Sequence, residues 1–195
     1  MNSRERILAE ISANQPAAAE VPVISLQEVT VYDDPVVKFK STLEGIGGKV
    51  IEIEDMLQLE SEISRDRDNG RFIINAISEI TEEDIEIISK GTANELESLY
   101  KSYIRGSIAV AENGAVWIRE SQMINRLLPF ICQHLVVVVE KNRIVSTMHH
   151  AYQAINSFEE GFGVFLAGPS KTADIEQSLV IGAHGARSLT VYLVN

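Results

Sequence analysis

Near the C-terminus the chain reads Gly168-Pro169-Ser170-Lys171-Thr172-Ala173-Asp174, directly after an apolar run and ahead of an expected helix over residues 172–181. These residue types suit an anion. Gly168 permits close backbone approach, and Ser170 and Thr172 offer hydroxyls. Lys171 adds a point charge beside the unpaired N–H groups of a helix start, so the group could hold a phosphate or a carboxylate. The loop is not a Walker A element, because no glycine directly precedes Lys171 and the first glycine is misplaced. A second reading accounts for part of the pattern: Ser170 or Thr172 caps the helix and Asp174 complements its dipole.

At the far end of that expected helix, Gly182-Ala183-His184-Gly185-Ala186-Arg187 is a turn with glycines on both sides of an imidazole. His184 has the chemistry of an acid or base, or of a cation complementing a helix C-terminus. With Arg187 it also suits a partner surface. Ten helical residues at 1.5 Å each would hold this turn about 15 Å from Lys171, so the two features are not expected to share one small ligand.

A third group is Glu112-Asn113-Gly114, set between the short apolar runs 107–111 and 115–118. Asn-Gly between such runs signals a two-residue hairpin with positive φ at both central positions. Other chemically capable residues carry less. His149 and His150 are adjacent and point about 100° apart on a helix, so they do not form a metal pair. His134 opens an apolar strand with no evident partner, and Cys132 reads as a small buried residue rather than a nucleophile. No metal site is expected.

The elements that must position these residues follow from periodicity. Residues 3–13 place Ile7, Leu8 and Ile11 at helical spacing, and residues 15–22, with two prolines, read as a linker to a domain over 23–195. From there helices are expected at 35–46 and 56–67 and strands at 49–53 and 71–76, with a helix opening at Thr81 and running to Ser89. Alternation of this kind argues for an α/β sheet. The β-branched run 134–139 suits a strand buried on both faces. A helix over 146–158 and strands at 163–167 and 188–194 complete the reading.

Composition excludes several classes. The chain has 195 residues, 45% hydrophobic and 23% charged, the size of one domain. A formal charge of −11 opposes general nucleic-acid binding and anionic membranes. One cysteine excludes an internal disulfide, a thiolate zinc site or a self-contained iron–sulfur cluster. No apolar run reaches a membrane-span length, and Arg4, Glu5, Arg6 and Glu10 are the wrong chemistry for a secretory signal, so a cytoplasmic protein is expected.

Residues 168–176 (GPSKTADIE), 179–185 (LVIGAHG), the closing run 188–194 and the opening SRERILAEI together resemble the lactate-utilisation protein C family, the LUD domain or YkgG-like group. The resemblance implies a NagB/RpiA/CoA-transferase-like α/β sheet with flanking helices, an inserted β-hairpin and an N-terminal helical arm. It also implies an accessory subunit of L-lactate oxidation to pyruvate, with no intrinsic cofactor and with iron–sulfur clusters carried on partner subunits. A small anionic ligand and homo-oligomer formation belong to the same expectation. The family's hairpin usually reads Ala-Glu-Thr-Gly-Thr where this chain has Ala-Glu-Asn-Gly-Ala at 111–115, and Lys171 and Ala186 stand where Arg and Pro are more usual. An alternative rests on the same hairpin: Glu112-Asn113-Gly114 is similar to the Glu-Asn-Gly element of family I CoA-transferases, whose carboxylate attacks a CoA thioester. The expected site is therefore Gly168, Ser170, Lys171, Thr172 and Asp174, with Glu112 near its rim.

Overall fold

The computed structural model describes residues 2–20, 22–77, 85–155, 160–172, 180–182 and 184–195. Helix α1 (Ser3–Ala13) is closed by a capping box between Asn2 and Glu5 but buries none of its residues. Helix α2 (Pro35–Gly45) starts on Asp34, whose carboxylate accepts from the N–H groups of Val36 and Val37. Strand β1 (Lys49–Ile53), helix α3 (Leu57–Asp68) and strand β2 (Ile73–Asn75) follow, close to the expected boundaries. Short helices α4 (Ile85–Lys90) and α5 (Ala93–Leu96) lead to β3 (Lys101–Arg105). The expected Thr81 cap lies outside the described residues.

Strands β4 (Ile108–Val110) and β5 (Ala115–Arg119) form the anticipated hairpin. Helix α6 (Leu128–Ile131), β6 (His134–Glu140), β7 (Ile144–Val145), α7 (Met148–Ile155) and β8 (Gly163–Leu166) come next. The chain closes with β9 (Lys171–Thr172), β10 (Val180–Ile181) and β11 (Ser188–Val194).

Two sheets organise the domain. A five-stranded sheet runs β1-β11-β6-β3-β2, with every pairing parallel. A second, four-stranded sheet runs β7-β4-β5-β8 and is mixed. The central strand β6 is buried over five consecutive residues, as its β-branched run requires when both faces are covered. Leu135, Val137 and Val139 meet α2 through Phe39 and Leu43 and the second sheet through Val116 and Ile118. Val136 and Val138 face α3 through Leu59 and Ile63. Helix α7 covers the outer face of the second sheet, placing Ala151 and Ile155 against Ile108 and Val110.

Gly106 allows the passage between sheets. A Cβ there would overlap Val116 Cγ1 and lie 2.9 Å from Val139 Cγ2, so only glycine lets β3 leave one sheet and enter the other within two residues.

Two expectations are corrected. The hairpin is not a two-residue turn: Val110 pairs with Ala115, leaving a four-residue loop in which Gly114 has φ 71° while Asn113 does not enter the left-handed region. Gly114 N donates to Val110 O at 2.9 Å, and Asn113 accepts from Ala115 N at 3.0 Å. The expected helix over 172–181 is likewise absent at its described ends. Lys171 and Thr172 pair antiparallel with Ile181 and Val180 as a small ribbon, so backbone bonds between the two ends replace the helical ones. Asp174 and the rest of 173–179 lie outside the described residues.

Candidate functional site

The ribbon changes what the Gly168 loop can reach. Leaving β8, the chain turns at Gly168 with φ 72°, where a Cβ would press within 3.3 Å of Ile46 on the end of α2. Ser170 N donates to Ala186 O at 2.8 Å, and Gly182 N donates to Ser170 O at 3.0 Å. A Cβ on Gly185 would stand only 3.1 Å from Ser170 Cβ. The Ser170 loop and the His184 turn are therefore neighbours, not features 15 Å apart. They share a cavity of about 220 Å³ whose apolar wall includes Phe130, Leu135, Phe165 and Leu189 and whose polar groups include Ser170 and His184.

The cavity lies at the amino edge of the parallel sheet, where Leu135 and Leu189 begin β6 and β11. β8 belongs to the second sheet, so the loop that follows it does not lie on the carboxyl edge of the first. It meets residues 182–187, which feed into β11, and Arg187 N donates in turn to Gln133 O, just ahead of β6. Lys171 points elsewhere: its ammonium donates to the carbonyl of Ile46, the C-cap of α2. Gly47, with φ 95°, makes the left-handed turn that ends α2 beside it. A cation at that end complements the helix dipole. Of the expected site residues, Gly168, Ser170 and His184 converge, Lys171 closes a helix and Thr172 sits in β9. Arg187 is exposed beside the turn.

Glu112 is also engaged. Its Oε1 accepts from Met148 N at 2.6 Å, at the first turn of α7, and its own N–H donates to Ser146 O at 3.1 Å. Thr147 Oγ1 lies 2.8 Å from His150 Nδ1 on the same turn. A carboxylate there satisfies an otherwise unpaired helical donor and favours the dipole.

A compensated charge network lies between α3 and the parallel sheet. Asp66 accepts from Tyr103 Oη at 2.8 Å and pairs with Lys101 at 2.6 Å and Arg71 at 2.5 Å. Glu62 pairs with Lys101 at 2.9 Å and accepts from the Tyr192 hydroxyl. Burial pushes both carboxyls up, but these partners outweigh it and hold them below the ordinary range. Two acids facing two bases make this a tie between helix and sheet rather than a proton donor. His134 finds the partner its sequence position did not show: Nδ1 lies 2.8 Å from Ser188 Oγ across the β6–β11 pairing, and the ring packs edge-on to Tyr100. Burial and the positive charges of Lys101, Arg187 and Arg71 lower its pKa, favouring the neutral imidazole. Cys132 is buried and its thiol is pushed up to about 12 by burial, which excludes a ready thiolate.

The carboxyl edge of the parallel sheet carries a cleft that sequence reading missed. Arg105 ends β3, Arg119 ends β5 and Arg143 precedes β7, and all three line an opening of about 280 Å³. Ser107 and Gln122 join them there, with Ser107 Oγ donating to Gln122 Oε1 at 2.7 Å. The signal was invisible because the arginines come from three separate elements. No described helix is long and apolar enough to cross a membrane.

Comparison with known proteins agrees with this architecture. A stretch of 90 residues is 34% identical to lactate utilization protein C of Bacillus pumilus, covering 43% of this chain and 38% of that protein. The protein of the same name from Bacillus subtilis is 33% identical over 94 residues, 45% of this chain and 39% of that one. The match thus spans about two-fifths of the length of these curated relatives. The crystal structure of a DUF162 family protein from Deinococcus radiodurans superposes with a TM-score of 0.62 over 83% of this chain and 96% of that one, at 18% identity, which establishes likeness of fold. The LUD domain family profile matches residues 36–194, from the first turn of α2 to the end of β11, and the chain belongs to that family.

Proposed function

We propose that this protein is an accessory subunit of L-lactate oxidation to pyruvate, acting in the cytoplasm with iron–sulfur partner subunits and binding a small anionic ligand. The observation that carries the reading is the match to proteins named lactate utilization protein C, set on a domain of the LUD family. The cavity joining Ser170 and His184 is the proposed ligand site. At about 220 Å³ it is smaller than the roughly 300–1,000 Å³ of pockets for drug-sized ligands, as a three-carbon hydroxy acid requires. Ser170 supplies a hydroxyl donor and His184 an imidazole, beside an apolar wall. Redox centres are supplied by the partners, since a single buried cysteine cannot ligate a cluster alone. His184 and Arg187, both exposed, form the proposed partner face.

The test is a tagged pull-down from the native host grown on lactate, with dye-linked lactate oxidation assayed on the eluate. Cysteine-rich iron–sulfur subunits co-eluting with activity are expected. A protein that elutes alone and inactive removes the accessory reading.

A further inference from the structure

We propose that β8 is a pairing edge for a second copy of this chain, the two β8 strands joining antiparallel about a two-fold axis at Phe165 so that the mixed sheet runs on from one copy into the other.

β8 ends the second sheet, with β5 as its neighbour. The carbonyl of Trp117 accepts from Ser107 N on the β4 side, and Phe162 O accepts from Glu120 N, so the β5–β8 bonds run through the pairs Val116–Leu166 and Ile118–Val164. The alternate residues Gly163, Phe165 and Ala167 therefore turn their N–H and C=O groups outward. Among the described residues these groups have no hydrogen-bond partner. Protein sheets blunt such edges with charge, proline or a bulge. β1, at an edge of the parallel sheet, carries the exposed Lys49 and Glu52. β8 has no such device: Gly163, Val164, Phe165 and Leu166 are uncharged, half-buried and in unbroken register with β5.

The occupant follows from the strand's match to itself. With Phe165 on the axis, it opposes the partner's Phe165, and Gly163 opposes the partner's Ala167. These are the residues with outward backbone groups, so each such pair exchanges both of its N–H···O bonds. Side chains agree on both faces. Val164 and Leu166, which pack on the main core, oppose each other across the axis, aliphatic against aliphatic. On the α7 face Phe165 meets its own copy, and aromatic cross-strand pairs favour association. Phe165 already packs with Trp117 at 4.7 Å and Tyr152 at 5.7 Å between ring centroids, and Tyr152 is 56% exposed. Pairing extends that aromatic cluster over surface that one copy leaves in water. Two-fold symmetry uses the β8 edge of both chains, so the assembly closes at two copies. The edge also borders the Ser170–His184 cavity, which Phe165, Leu166 and Ala167 help to line, so the partner strand stands beside the proposed ligand site.

Sedimentation velocity of the full chain at rising concentration tests this, and a dimer is expected. Phe165→Lys sets like charges opposite each other on the axis, and Ala167→Pro deletes an outward N–H. Each should weaken association by about tenfold or more while circular dichroism keeps the native spectrum. Phe165→Cys checks the register without adding a charge. Opposed residues of a hydrogen-bonded pair have Cα atoms about 5.5 Å apart, within disulfide range, so mild oxidation should link two chains through this position. Cys132 is buried and its thiol is held protonated, so the wild type should not cross-link. Ser170→Ala should dimerise like the wild type, which separates this interface from the lactate reading. A wild-type monomer throughout the range, a dimer unaffected by Phe165→Lys and Ala167→Pro, or Phe165→Cys chains that stay unlinked would overturn the proposal.

Discussion

Replacing Asp66 by asparagine keeps the shape of the side chain and removes its charge, and the consequences can be worked through. The carboxylate is 4% exposed and takes three partners: Tyr103 Oη at 2.8 Å, Lys101 at 2.6 Å and Arg71 at 2.5 Å. In the variant Lys101, 13% exposed, keeps only Glu62, and an amide NH₂ faces donors it cannot satisfy. Losing two charge-assisted bonds at about 1.5 kcal/mol each gives about 3 kcal/mol of destabilisation at pH 7, within the range for breaking a buried pair. For a domain of this size that is a fall of roughly 6–12 °C in Tm. The pH dependence supplies an independent check. Burial raises the Asp66 pKa, but Lys101, Tyr103 and Arg71 together bring it below the ordinary value. Its folded pKa therefore lies below the unfolded value of about 4. The stabilisation is complete above the unfolded pKa and is lost as pH falls through the folded one. Urea unfolding followed by circular dichroism at pH 7 and through pH 5 to 3 should show the difference between wild type and variant shrinking below about pH 4. A difference under about 1 kcal/mol at pH 7, or one flat across that range, would falsify the reasoning that charge holds α3 to the sheet.

Glu112→Ala should cost about 1 kcal/mol in urea unfolding, because Met148 N loses its acceptor, while Glu112→Gln should retain most of the stability. If Glu112 instead attacks CoA esters, turnover of acyl-CoA with an acceptor acid should vanish in Glu112→Gln with the fold intact. Gly106→Ala should lower stability by about 1–3 kcal/mol, read from the unfolding midpoint, since its methyl collides with Val116 and Val139. Cys132 should resist a thiol-specific disulfide reagent at pH 8 in the native protein and react stoichiometrically in urea, given a pKa pushed to about 12. Rapid native labelling would show that β6 and α6 open more easily than their packing indicates.

Much of the fold was legible because its signals are local. The β-branched run of β6 marked a strand covered on both faces, and the helix expected from Pro35 matches the start of α2, although its Asp34 cap was not read. The Asn113-Gly114 hairpin was also readable, although its turn type was not. A two-residue turn would require positive φ at Asn113, and Val110 pairing with Ala115 makes the loop two residues longer. The ribbon was misread because the apolar spacing near its ends fits a helix, while the backbone pairing of Thr172 with Val180 is invisible to periodicity. The candidate site was legible in part. Ser170 and His184 were named, but their proximity depends on that pairing. Lys171 was expected to face an anion and instead faces the Ile46 carbonyl, a choice made by where α2 ends.

The sequence by itself determined most of the helices and strands up to β2, the closing strand, the identity of the buried strand and an acidity that disfavours a general nucleic-acid binder, but not β3, β7 or the β9–β10 ribbon. It did so because side-chain periodicity, capping chemistry and net charge are properties of neighbouring residues or of composition. Only the tertiary structure decided which sheet each strand joins. That choice placed the Gly168 loop at the amino edge of the parallel sheet and brought Ser170 beside His184. It also gathered Arg105, Arg119 and Arg143 from three separate elements around one cleft at the carboxyl edge. The physical reason is that strand pairing and sheet-on-sheet packing join residues far apart in the chain, whose contacts leave no local periodic trace.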